Sequence, residues 1–149
     1  GSIASRYTKA LARSMASTKE LKAANVLNFA QTAGYTGGDG VTLLSASHPT
    51  RNGNQSNVLG TAADLSETSL ESVLINIADM KDDRGLRIAA QGKTLVIPTA
   101  YTFTADRILQ SNLQNDTATN TINAIKTNGY FQGGSHVIRR FKDSHGWFV

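Results

Sequence analysis

The sequence predicts an α+β fold: one overlong helix, one overlong polar loop, and a mixed region of helices and short strands. Three observations carry that expectation. Residues from about 4 to 33 contain neither Gly nor Pro and are rich in helix formers. Residues 34–63 are polar and Gly-rich. The remainder alternates helical periodicity with short apolar runs bounded by turn residues.

At about 100° per residue, Ile3, Tyr7, Leu11, Met15, Leu21 and Phe29 share one broad face of the first helix, and Arg6, Lys9, Arg13 and Glu20 lie opposite. Val26 and Leu27 fall on the polar side, so the far end is expected to be buried more completely. Gly34 is the expected stop. Such a helix runs roughly 40 Å at 1.5 Å per residue, more than a small compact domain needs.

The loop begins with Gly34, Gly37, Gly38 and Gly40, passes a short apolar piece at Val41–Leu44, and turns polar from Ser45 to Thr61. It contains His48-Pro49 and Asn52-Gly53-Asn54. Unstructured loops of this length usually bind, cap or exchange with something, and another subunit is the expected partner.

A second helix follows from Leu70, Val73, Leu74, Ile77 and Met80 at the i, i+3, i+4, i+7 spacing. Ser66 is the expected N-cap, with Glu67 in the positive first turn. Leu65 and Leu70 form a hydrophobic staple, and Arg84-Gly85 supplies a basic last turn and a terminal glycine. Thr94–Ile97 reads as a buried strand closed by Pro98. A third helix runs from about Phe103 to Ser111, capped by Thr102. A short helix is expected at Ile122–Ile125 within the polar stretch 112–135. His136–Phe141 and Trp147–Val149, joined by the turn Asp143–Gly146, read as a hairpin. Its last strand stops at the apolar Val149, from which we expect the chain to be a fragment of something longer.

Composition narrows the function classes. Cysteine is absent, which excludes disulfides, thiolate metal sites and a cysteine nucleophile. No apolar run reaches the roughly 20 residues of a membrane span, and no signal-peptide pattern opens the chain. The net charge of +4 resides entirely in residues 1–33, where Arg6, Lys9, Arg13, Lys19 and Lys22 face only Glu20. The other ten basic and ten acidic residues cancel. A basic segment meets nucleic acid or an acidic partner surface, although a solvated helix face is the commoner explanation.

No motif supplies chemistry. Gly92-Lys93-Thr94 resembles the end of a phosphate-binding loop, but Arg87 stands where the first glycine is required and a strand follows instead of a helix. The Gly34–Gly40 stretch lacks dinucleotide spacing and a preceding strand. His48, His136 and His145 show no metal-ligand spacing, and no Gly-x-Ser-x-Gly elbow accompanies them. Asp79, Asp82 and Asp83, interleaved with Lys81 and Arg84, read as a solvated turn. Trp147-Phe148 reads as core packing. The triplets Asn54-Gln55-Ser56 and Asn115-Asp116-Thr117 are chance glycosylation patterns without a secretory signal. We expect no enzyme activity, no cofactor and no metal.

A series of short motifs, taken in order, carries a resemblance. Ala12–Met15, Thr18–Glu20 and Ala23–Val26 are followed by Tyr35–Gly40, Leu43–Ser45 and His48-Pro49. Ala63–Glu67 and Ser69–Glu71 come next, then Arg84–Leu86, Leu95–Pro98, Ala105–Leu109 and Asn115–Ala118, with Trp147-Phe148 at the close. This order resembles the middle portion of a tailed-bacteriophage major capsid protein of the Hong Kong 97-type capsid fold. The resemblance implies a spine helix of the peripheral domain at 1–33, an extended loop of that domain at 34–63, and an incomplete axial domain at 64–149. The family's N-terminal arm, the extended loop before the spine helix and the later peripheral strands have no counterpart here.

The resemblance also implies function. The chain is expected to be a structural subunit of an icosahedral head, assembling into hexamers and pentamers around the viral DNA without sequence-specific binding. Its partners would be copies of itself, with scaffolding, portal or decoration proteins, and no membrane. It would assemble in the host bacterial cytoplasm and reside in the virion. Arg6, Lys9, Arg13, Lys19 and Lys22 are the candidate contacts with another subunit, genome or scaffold. The alternatives are an encapsulin-like compartment shell and a basic nucleic-acid-binding module.

Overall fold

The computed structural model describes residues 3–114 and 121–149. Among them the order is α1 (Ile3–Asn28), β1 (His48–Thr50), β2 (Gly53–Gln55), α2 (Glu67–Ala78), β3 (Leu95–Ile97), a 3-10 turn (Thr99–Tyr101), α3 (Thr102–Gln110), α4 (Ala124–Thr127) and β4 (Ser135–Val137). The α+β class is as expected. The Asn115–Ala118 motif and the second glycosylation triplet lie outside the described residues.

The core lies between α2, β3, α3 and α4. Leu70, Leu95, Ile97, Ala105, Ile108 and Ile125 are its buried side chains, closed at the edges by Leu65 and Phe131. Ser66 caps α2 as expected, its hydroxyl accepting the Ser69 amide while the Ser69 hydroxyl accepts the Ser66 amide. Leu65 and Leu70 are both buried, which fixes the entry angle of the helix. The helix ends at Ala78, not near Gly85. Residues 81–87 instead fold back as a tight turn in which the Asp82 carboxylate accepts the amides of Arg84 and Leu86. Gly85, at φ +88, serves that turn rather than a helix terminus.

Strand β3 is central. It pairs in parallel with β4, Val96 opposite His136, and Val96 exchanges both backbone hydrogen bonds with Phe148 on its other side. The expected hairpin between 136–141 and 147–149 is therefore corrected: the two segments flank β3 instead of pairing with each other. The strand Leu95–Ile97 is buried on the face of Leu95 and Ile97 and half-buried on that of Val96, and it satisfies its backbone by taking a neighbour on each edge. Thr102 is also corrected, from cap to first helical residue. Its hydroxyl donates to the Thr99 carbonyl, continuing the 3-10 turn into α3. The expected short helix is α4, capped by Asn123 rather than opening at Ile122.

The 34–63 region is more ordered than its composition suggests. β1 and β2 form an antiparallel hairpin turning through Arg51-Asn52, with Gly53 at φ +105. This hairpin sits on the 81–87 turn: Arg51 pairs with Asp83 at 3.1 Å and the Gln55 amide donates to the Asp82 carbonyl. Asn57 staples the loop closed, donating to the Leu43 carbonyl and accepting the Ser45 amide.

Helix α1 ends at Asn28, five residues short of its expected limit. Tight turns then carry the chain to Gly34 at φ +90. Asn28 donates to the Arg140 carbonyl and accepts the Lys142 amide, so its side chain ties the helix end to the C-terminal segment. Ala24 and Ala30 are buried there, as expected of the far end, whereas Val26 is exposed.

Candidate functional site

The feature that stands apart is the free length of α1. Every residue from 3 to 16 is exposed, so about 20 Å of helix, at 1.5 Å per residue, stands clear of the rest of the chain. The line facing the body is Ser17, Glu20, Ala24 and Asn28: the Arg140 guanidinium donates to the Ser17 hydroxyl at 2.6 Å and lies 3.8 Å from Glu20. The apolar face lies on the other side. Tyr7 and Ile3 are each 72% exposed, Leu11 61% and Met15 58%. This face is left bare because the body contacts the helix along its small and polar line instead.

The five candidate basic residues are all exposed and all on α1, but the helix divides them. Arg6, Lys9 and Arg13 share the side that faces the body lower down, extending beyond its edge. Lys19 and Lys22 lie on the opposite, outward side, beside Met15 and Val26. Among the described residues none of the five forms an ion pair.

Sequence reasoning missed two polar clusters. His48 Nδ1 lies 2.6 Å from Asp39 Oδ2, joining the Gly-rich turn to the β1–β2 hairpin. The hydrogen bond with Asp39 holds the imidazole above its ordinary value, against the opposing effect of burial, and the same bond holds Asp39 below the usual carboxylate range. A residue spacing of nine, with glycines between, carries no motif that announces this pair. Asn123, 1% exposed, donates to the carbonyls of Ile108 and Ser111 and accepts the Ile125 amide, linking α3 to α4. An asparagine two residues before the apolar Ile125 was the available signal, as a helix cap.

An open groove of about 460 Å³ lies between α2 and the C-terminal segment, lined by Val58, Val73, Ile77, Met80, Trp147 and Val149. Among the described residues no cluster of three or more His, Asp or Glu side chains forms a metal site. No described helix is long and apolar enough to cross a membrane. The molecule's distinctive surface is therefore an arm with one apolar and one basic side.

A family model described as Phage capsid protein matches residues 1–148. No curated protein and no solved structure gives a match. The free arm and the family match agree on a protein that works by contact with neighbours. This chain belongs to the phage capsid protein family, and it is a structural, non-enzymatic component of the virion.

Proposed function

We propose that this chain is the shell-building subunit of an icosahedral tailed-phage head with the Hong Kong 97-type fold, assembling as hexamers and pentamers around packaged DNA. The observation that carries this reading is the helical arm. An apolar helix face left bare by its own chain is stable in water only at a cost, and a neighbouring subunit removes it. The family match over 1–148 and the ordered motifs support the same reading. In it, residues 1–33 are the spine-helix segment with α1 as its helical part, residues 34–63 the extended loop of the peripheral domain, and residues 64–149 the incomplete axial part. Arg6, Lys9 and Arg13, a solvated basic row beyond the body's edge, are assigned to acidic scaffold or genome phosphates, and Lys19 and Lys22 to another subunit. Scaffolding, portal and decoration proteins are the further partners, with assembly in the host cytoplasm.

Peptide mass spectrometry of purified particles, with a nuclease-protection assay, tests this. The expected result is this sequence as the dominant protein of particles that protect DNA. Particles carrying protein cargo and no DNA would favour the compartment-shell alternative. Absence of the sequence from particles would overturn the reading.

A further inference from the structure

Two rows of side chains on this molecule match one another in charge and spacing, and among the described residues no ion pair joins them. The first lies on the outward side of α1, opposite the line that touches the body: Met15, Lys19 and Lys22, all exposed. The second lies along α2, where Glu67, Glu71 and Ile75 follow one another at intervals of four and so share a strip of the helix. Ile75 is 62% exposed although it belongs to the helix that builds the core.

Charge points the same way. Residues 1–33 carry the whole positive excess of the chain, whereas residues 64–88 hold six acidic and three basic side chains. Two acids of that segment are answered from within the chain: Asp79 by Arg87 at 2.6 Å and Asp83 by Arg51. Glu67 and Glu71 form no ion pair with a described residue. Burial pushes the Glu67 carboxyl up, a hydrogen bond from Gln114 opposes this, and Glu71 one turn away adds repulsion. Both carboxyls are half-buried, and a cation arriving at their open side offsets the repulsion between them and favours the ionised form of Glu67.

We infer that α1 of one copy docks antiparallel on α2 of a second copy, with Met15 against Ile75, Lys19 against Glu71 and Lys22 against Glu67. The spacing agrees: steps of four and three residues on α1 meet steps of four and four on α2, within about 1.5 Å of each other at that rise per residue. Pairing α1 with α1 instead would set two like-charged helices together. The contact is heterologous, each copy offering a different surface, and such contacts close into rings or extend into larger assemblies. A single contact of this size is weak, and repetition around a shell strengthens it. This inference rests on the shell reading above and names the surfaces that reading leaves open.

The test is sedimentation velocity of the 149-residue chain over a range of concentrations at low salt. Lys19→Glu and Glu71→Lys are compared with the parent, and circular dichroism checks that each folds. The parent is expected to self-associate, each single variant to associate about tenfold more weakly, and a one-to-one mixture of the two to recover. The double variant, with the charges exchanged, recovers alone and serves if either single variant folds poorly. Parent protein that stays monomeric, single variants that match it, or a mixture that fails to recover would each overturn the inference. Shells built from Lys19→Glu at full yield would overturn it while leaving the shell reading intact, and a sequence absent from particles would remove that reading instead.

Discussion

Asn123 is the side chain on which the packing of α3 against α4 depends most directly. Its amide reaches the Ile108 and Ser111 carbonyls while its oxygen caps α4. Replacement by Ala leaves buried partners unsatisfied, so Asn123→Ala is expected to cost about 2–3 kcal/mol, read as a lowered midpoint in thermal or urea unfolding. His48 and Asp39 make a second prediction. The His48 value is raised by Asp39, so its stabilising contribution is complete below the unfolded value of 6.5 and is lost as pH rises through the higher folded value. Asp39 is lowered, so its contribution is complete above 3.8 and is lost as pH falls through the lower folded value. The loop-to-hairpin tether is therefore strongest between those limits and loosens as pH rises through the raised His48 value. An NMR titration of the His48 ring should give a midpoint above 6.5 that returns to ordinary in Asp39→Asn; a midpoint at or below 6.5 in the parent contradicts the pairing.

At the scale of elements, α1 behaves as two helices joined end to end. The part after Ser17 is held by Arg140, Asn28 and the buried Ala24, whereas residues 3–16 are all exposed and no described residue outside the helix hydrogen-bonds to them. Isolated helical segments shorter than about 12–15 residues are marginal in water. Amide exchange in residues 3–16 is accordingly expected to be fast in the free subunit and slow after assembly. Ala12→Pro should break this arm without moving the unfolding midpoint of the body, and a drop comparable to that of Asn123→Ala would show that the arm is packed after all. What the sequence revealed divides along the same line. Helix α2 was legible because Leu65, Ser66, Glu67 and Leu70 lie within one turn and a half of each other, and local chemistry decided it. The β1–β2 hairpin was not, because Asn52-Gly53 is flanked by His, Pro, Asn and Gln rather than by alternating apolar residues. The pairing of β3 with β4 joins residues some forty positions apart, and nothing local encodes a parallel register. The wheel identified the two sides of α1 correctly, but amphipathicity does not say which molecule covers the apolar side.

For the whole molecule, the pattern is a small body with one core and an arm that carries the chain's excess charge. A self-contained domain would bring Tyr7, Leu11 and Met15 inside; this one leaves them in water, and membership of the phage capsid family gives the reason. Salt should distinguish the two sides of the arm. If Arg6, Lys9 and Arg13 contact phosphates as proposed, that binding should weaken steeply with added salt through counterion release, whereas association through Tyr7 and Leu11 should persist, which sedimentation at rising salt reads directly. Electron microscopy of the purified protein, paired with its mass in solution, tests the central claim most directly. The account predicts closed shells of uniform diameter in which the outward side of α1 is covered by a neighbouring copy. A homogeneous 15.9 kDa monomer at every concentration, with the arm still bare, would contradict it.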